Sequence, residues 1–412
     1  MRIQLLPALL IFILALLTDW YIYSNVRKYA RPQRRKFLSW IYAVSAVICW
    51  GLAIAVFVWP KKDPNEPIII PMWLLFTFLS IYISKFIYCM FSLCGLCIFR
   101  NSGKRGKWNL WVGVPAASLV FIFMWWGVLF TRNEIDVRNV EIRSERLPKS
   151  MDGLKIVQIS DLHLGTWGTD TTFVSNLVDS VNARHADIVV FTGDFVNRVA
   201  AEANPFVPVL RRIKAPMGVY GVYGNHDYGG YAEWPNEESY HANLELMGRN
   251  TESMGWKILS NASVKLKNES DSIALIGVEN WGEPPFNQLG DLVKAYHDPE
   301  GKGQDLNDGI FKVLLTHNPN HWDEVVRKIS NVDLTLSGHT HAMQMEFDIG
   351  GHKFSPSEWK YPKWGGLYEE KSIGNTPMYL YVNIGAGTVG FPARLGKALP
   401  EVTEITLRSA DH

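Results

Sequence analysis

The chain has 412 residues and a formal net charge of +1, with 41 Lys and Arg against 40 Asp and Glu. Its length exceeds the needs of one ordinary domain. The charge balance excludes the strongly basic surface by which a protein holds nucleic acid, so no nucleic-acid partner is expected.

The first 130 residues are dominated by Leu, Ile, Phe and Trp, and four apolar stretches there approach the ~20 residues that a bilayer-spanning helix needs. They run approximately over 5–23, 37–59, 68–90 and 110–130. Trp20, Tyr21, Trp40, Trp59, Trp108 and Trp111 stand at their ends as an interfacial aromatic belt would. The first stretch has almost no basic flank beyond Arg2 and no small-x-small cleavage pattern, so it is read as a span and not as a signal peptide. Lys85 is read as snorkelling from the inner end of a long third helix, and residues 86–99 as too short to cross separately. Asp19 is likewise placed near a helix end. Cys49, Cys89, Cys94 and Cys97 all lie in these apolar stretches. Cys94 and Cys97 have C-x-x-C spacing, but no strand signal or further ligand accompanies them, so they are read as packing residues.

The connecting loops carry orientation. Loop one holds Arg27, Lys28, Arg31, Arg34, Arg35 and Lys36, and loop three holds Arg100, Lys104, Arg105 and Lys107. Loop two offsets Lys61 and Lys62 with Asp63 and Glu66. The basic loops belong in the cytoplasm, which puts the C-terminal domain outside it. Residues 1–130 are thus a four-helix membrane region, and the mixed-charge stretch 131–149 a linker. A catalytic domain follows at 150–412.

From residue 150 short β-rich runs alternate with amphipathic stretches, the pattern of an α/β domain. Strands are predicted at 154–160, 187–192, 219–223, 273–278, 311–316, 332–337, 378–383 and 402–407, and helices near 172–183, 204–213, 240–254 and 321–329. Five of the strands run into ligand-type residues. These are Asp161 and His163, then Asp194, then Asn225, His226 and Asp227, then His317, then His339 and His341. Loops at the carboxyl ends of strands converge in open α/β sheets, and glycines precede Asp194, Asn225 and His339, permitting tight turns. A lone D-x-H is a common surface loop, whereas this ordered set at successive strand ends is a metal site. Its oxygen and imidazole donors suit Mn, Fe, Zn or similar divalent ions. Two such ions sharing a carboxylate can turn a bridging water into hydroxide and hold both phosphoryl oxygens during in-line attack.

Over about residues 150–408 the sequence resembles the calcineurin-like metallophosphoesterase superfamily. The stretches Gly338–His341, Asn383–Gly387, Phe391–Arg394 and Pro400–Ile405 resemble its membrane-attached bacterial phosphodiesterase branch. The resemblance implies two stacked mixed β-sheets flanked by helices. It assigns Asp161, His163 and His341 to one metal, Asn225, His317 and His339 to a second, and Asp194 to a bridge between them. His226 would stabilise charge and act as the acid, and Asp227 would orient His226. His185, His241, His297, His321, His352 and His412 are read as surface or helix histidines, with His241 and His352 nearest the mouth of the site.

Two aromatic inserts remain, 228–240 with Tyr231 and Trp234, and 343–368 with Phe354, Trp359, Tyr361, Trp364 and Tyr368. They read equally as specificity walls and as packed loops. The expected activity is metal-dependent hydrolysis of a phosphodiester or phosphomonoester, including a lipid-linked one, at the membrane. The alternatives are a pyrophosphatase acting on a nucleotide-linked lipid precursor and a non-catalytic phosphate-binding sensor.

Overall fold

The computed structural model describes residues 5–99, 104–268, 270–284, 288–296, 308–372 and 375–410. Arg100, His297 and His412 lie outside these residues. The chain forms two compact units, one of Met1–Pro60, Ile70–Leu129 and Gly390–Ala393, the other of Lys61–Ile69, Phe130–Val389 and Arg394–His412.

Among the described residues, the first unit holds four helices long and apolar enough to cross a membrane. They are α1 (Leu5–Tyr29), α2 (Pro32–Val58), α3 (Ile69–Ile98) and a composite of α4 (Arg105–Trp108), a π turn (Asn109–Gly113) and α5 (Val114–Leu129). Large apolar side chains such as Val47, Phe57 and Trp111 are mostly exposed, as lipid-facing residues are. Helix α3 runs unbroken through 86–98, so this segment is no separate crossing.

Asp19 and Lys85 depart from expectation. Both lie well inside their helices and face each other, Lys85 Nζ donating to the Asp19 carboxylate at 2.8 Å. The same carboxylate accepts from Tyr42 at 2.7 Å, Trp50 Nε1 at 2.9 Å and Tyr82 at 2.6 Å. A charge at this depth needs an internal partner more than it needs reach, and the pair supplies one without snorkelling.

In the second unit the strands, in chain order, begin with β1 (Asp136–Ser144), β2 (Lys155–Ile159), β3 (Ile188–Phe191), β4 (Val219–Gly221) and β5 (Lys257–Ile258). Next come β6 (Ala262–Lys267), β7 (Ser272–Gly277), β8 (Lys312–Leu315), β9 (Leu334–Ser337), β10 (Met345–Ile349) and β11 (His352–Phe354). The last are β12 (Gly366–Lys371), β13 (Pro377–Val382), β14 (Leu395–Gly396) and β15 (Glu401–Ser409). They form two six-stranded mixed sheets, β1-β15-β2-β3-β4-β5 and β12-β13-β9-β8-β7-β6, and a small sheet β11-β10-β14. The central strands are parallel and buried throughout, which explains their unbroken apolar runs.

Alternation along these strands divides the core. Ile156, Ile188 and Val190 point to one face of the first sheet and pack on Leu275, Val313, Leu315, Leu334 and Leu336 of the second. Val157, Val189 and Phe191 point to the other face and meet Val174, Leu177, Val178 and Val181 of α6 (Thr172–Asn182). The far face of the second sheet, through Ala274, Ile276 and Leu314, meets Trp322 and Val326. This is the stacked, helix-flanked α/β architecture that the resemblance implies.

Residues 131–149 are not merely a linker: they contain β1, which pairs in parallel with β15 along all nine of its residues. Its charges are those of an outer strand, where only Ile142 is buried. The helix expected at 204–213 is a 3-10 segment (Ala200–Phe206) followed by α7 (Val207–Leu210), because Pro205 and Pro208 interrupt the ladder. The expected helix at 321–329 is a π turn (Trp322–Val326) and a short α turn (Arg327–Ile329). Helix α8 (Glu237–Met254) starts three residues before the expected Tyr240, where Asn236 caps it by accepting from the Ser239 amide.

Candidate metal centre

Strand β2 delivers Asp161 and His163, β3 delivers Asp194, β4 delivers Asn225 and His226, β8 delivers His317, and β9 delivers His339 and His341. Asp161, His163, Asp194, His339 and His341 all have positive φ, between 44° and 73°. Backbone of this kind costs about 1–3 kcal/mol at a non-glycine residue and persists only where the surroundings impose it. Neighbouring glycines make the approach possible. A Cβ on Gly224 would fall 2.2 Å from Asp194 Oδ1, and one on Gly338 would fall 2.0 Å from Ser160 Oγ.

The side chains converge into three overlapping groups, Asp161–His163–His341, His163–Asp194–His226 and Asp194–His317–His339. Asp194 belongs to two of them. His163 Nε2 lies 3.0 Å from His341 Nε2, and Asp161 Oδ1 lies 3.2 Å from His341 Nε2. On the other side His339 Nδ1 lies 3.0 Å from His317 Nε2, which is 3.2 Å from both Asp194 Oδ2 and Asn225 Oδ1. Imidazole nitrogens aimed at one another in a buried space set lone pair against lone pair unless a proton or a cation lies between them. Nitrogen and carboxylate donors in that arrangement fit divalent cations.

The electrostatics agree. Burial alone would raise the Asp161 and Asp194 carboxyls, but the imidazoles of His341 beside Asp161 and of His317 beside Asp194 hold both below the ordinary carboxylate range. Burial pushes His339 down to about 3 and, with His226 beside it, His163 well down. Burial opposes the charged form of His317 too, yet the Asp194 and Asp161 carboxylates raise it to about 9. The pocket thus holds carboxylates ionised and demands positive charge.

His226 sits at the edge of the set, its ring edge-on to His163 with centroids 4.8 Å apart. Its Nδ1 donates to the Asn197 carbonyl at 2.6 Å, which fixes the tautomer and leaves Nε2 as the exchangeable atom. Asp227 does not do this work, contrary to expectation. Its carboxylate accepts from the amides of Asp194 (2.8 Å), Phe195 (2.8 Å), Val196 (3.3 Å) and Gly224 (2.9 Å), and so shapes the turn that carries Asp194. A side chain one residue along a tight turn points away from its neighbour, whereas a carbonyl from another loop can meet the ring.

Three more residues touch the set. The Tyr231 ring stacks on His226 (centroids 4.0 Å apart), and its hydroxyl accepts from Asn225 Nδ2 at 2.7 Å, turning Asn225 Oδ1 inward. Tyr361 Oη lies 2.7 Å from His339 Nε2. Arg394 is fully buried and donates to the carbonyls of Ile384, Gly385, Gly387 and Ala398, bracing the loop behind His341. Tyr231 and Tyr361 lie in the aromatic inserts; Asn197 had no signal, because it acts through its backbone. Of the remaining histidines, His185, His241 and His352 are exposed, and none of the three lies in these groups. His321 is buried at the head of the Trp322–Val326 turn and stacked on Trp281 at 5.3 Å, a helix histidine and not a surface one.

Comparison with known proteins gives a consistent picture. The family described as "Calcineurin-like phosphoesterase" matches residues 154–343, and that described as "Probable Calcineurin-like phosphoesterase, transmembrane domain" matches residues 1–132. The metallophosphoesterase YkuE of Bacillus subtilis is 30% identical over 280 residues, covering 67% of this chain and 87% of its own. A "Transmembrane protein with metallophosphoesterase domain" of Bos taurus is 27% identical over 440 residues, covering 99% and 90%. The UDP-2,3-diacylglucosamine pyrophosphatase LpxG of Chlamydia trachomatis is 28% identical over 244 residues, covering 48% and 68%.

Proposed function

The chain belongs to the calcineurin-like phosphoesterase family, and from that premise we propose that it is a membrane-bound hydrolase of phosphodiesters or phosphomonoesters working through a pair of divalent cations. The observation that carries this reading is that Asp194 belongs both to the His163–Asp194–His226 group and to the Asp194–His317–His339 group, while His163 links the former to the Asp161–His163–His341 group. Asp161, His163 and His341 would hold one cation, and His317, His339 and Asn225 Oδ1 a second, with Asp194 placed between them. Divalent cations bound there would supply the charge that acidifies water and offsets the phosphoryl oxygens. His226, pinned at Nδ1 by Asn197, presents Nε2 to the leaving oxygen; burial favours its neutral form, so Nε2 must first take up a proton, as imidazolium, before handing it on. Tyr231 on His226 and Tyr361 on His339 wall the place where the ester lies.

The basic loops before α2 and before α4 favour the cytoplasm, which leaves the catalytic unit on the opposite side. The connection between α2 and α3 lies in the same unit as the catalytic fold, and four crossings would put both on one side of the bilayer. A substrate carried by lipid suits an enzyme confined to the bilayer. The likeness to a UDP-2,3-diacylglucosamine pyrophosphatase supports a second reading, in which the scissile bond is a pyrophosphate linked to lipid.

The test uses the full chain in detergent or nanodiscs with Mn²⁺, offered mono-, di- and pyrophosphate esters. Turnover of an alkyl phosphodiester should fall about 10²–10⁴-fold in His226→Ala, the range for loss of a proton donor. Asp194→Asn should abolish turnover and lower bound metal at both positions. Full metal content in an active Asp194→Asn protein would refute the shared carboxylate.

A further inference from the structure

The segment between α2 and α3 is tied to the catalytic fold beside His226. The buried Arg198 guanidinium donates to the backbone carbonyls of Lys61 and Glu66, and to that of Asp63 at 3.2 Å. The Glu233 amide donates to the Lys62 carbonyl at 2.8 Å, and the Glu233 carboxylate pairs with Lys62 Nζ. These contacts meet both supports of the proton donor. Arg198 shares a peptide group with Asn197, whose carbonyl accepts from His226 Nδ1. The amide of that peptide donates to Glu202 Oε2 at 3.1 Å, and the preceding amide to the same oxygen at 2.6 Å. Glu233 lies two residues from Tyr231, whose ring stacks on the His226 imidazole.

We propose that residues 61–66 are a strap which, through Arg198 and Glu233, fixes the orientation of His226, so that Arg198 is a positioning residue for proton transfer to the leaving oxygen. Arginine suits the task. Its planar fork reaches several carbonyls at once, while its Nε faces the Glu202 carboxylate at 3.6 Å. Orientation matters because a proton donor works only within hydrogen-bond reach of the leaving atom. The strap is a stretch of chain bounded on both sides by apolar helices, so one part of the machinery around His226 is built from the membrane region's own connection.

The proposal rests on the phosphoesterase reading for its kinetic consequence but not for its geometric one, and the experiment separates the two. In the full chain, Arg198→Ala and a second variant with residues 61–66 replaced by a Gly-Ser stretch of equal length are compared with the native protein. The substrates are phosphodiesters with an alkyl leaving group, which needs a proton, and with a p-nitrophenolate leaving group, which does not. The expected result is a loss about tenfold or more greater for the alkyl ester than for the nitrophenyl ester, with bound Mn²⁺ unchanged. Equal losses on both esters, or metal lost in step with activity, would mean general damage and would overturn the proposal. Exchange of the His226 Nδ1 proton, followed by NMR of histidine-labelled protein, reads the geometry without turnover. It should quicken about tenfold or more in both variants once the carbonyl partner is released. Unchanged exchange overturns the strap even if no ester is hydrolysed, whereas quickened exchange without native turnover sinks the phosphoesterase reading alone.

Discussion

At the residue scale, donor side chains from five strand ends meet in one buried space, and Asp194 stands in two of the three groups they form. Asp161, His163, Asp194, Asn225, His317, His339 and His341 are recognisable because donor atoms of the right hardness recur at strand ends, and the structure brings them together. Asp227 was misread because adjacency to His226 in sequence says nothing of direction. Its carboxylate serves four amides, so Asp227→Ala should strand several buried donors at about 1–3 kcal/mol each. Thermal unfolding should show a loss of about 3 kcal/mol or more, and a near-native midpoint would contradict the bracing role. His321 yields a prediction of pH dependence. Burial pushes its imidazole down to about 3, so the folded ring stays neutral where the unfolded ring, near its ordinary value of 6.5, takes up a proton. Its stabilising effect is complete above pH 6.5 and is lost as pH falls through the window down to about 3. Between pH 6 and 4, His321→Phe should remove roughly 1.4 kcal/mol per pH unit from the acid slope of unfolding. An unaltered slope would mean that the ring charges freely in the fold.

At the scale of elements, the strands read correctly are those buried on both faces, such as β3 and β8, whose apolar runs allow no other reading. Strand β1 was hidden because an outer strand keeps its charges exposed and commits one side chain, Ile142, to the core. Ile142→Ala should therefore cost about 2–5 kcal/mol in unfolding free energy, while Glu141→Ala, on an exposed position of the same strand, should leave it nearly unchanged. Equal effects at the two positions would show that β1 is dispensable. The interrupted helices at 200–210 and 322–329 show the limit of periodicity. Apolar spacing reports which face is buried, but prolines and π turns decide how the backbone is wound.

At the scale of the whole molecule, the division into an apolar helical region and an α/β fold was plain from composition, and four crossings followed from length. The pairing of Asp19 with Lys85 was not, because sequence gives depth along a helix but no azimuth. Removing one partner leaves the other charge uncompensated in an apolar medium, a loss of about 3–5 kcal/mol where such pairs have been broken, whereas replacing both is far milder. Asp19→Leu alone should thus lower the unfolding midpoint of the detergent-solubilised protein, and adding Lys85→Leu should recover the part due to the stranded ammonium, while the Tyr42, Trp50 and Tyr82 donors stay unmatched in both variants. Additive losses would show that the two charges act independently.

The carbonyl cage around Arg198 bears on how such an enzyme is handled at the bench. A truncation beginning after Leu129, the obvious route to a crystallisable, detergent-free catalyst, discards Lys61, Asp63 and Glu66 together with the helices. Its guanidinium would be left in a cleft with water in place of those carbonyls, and assays of that fragment would favour esters whose departing group needs no help.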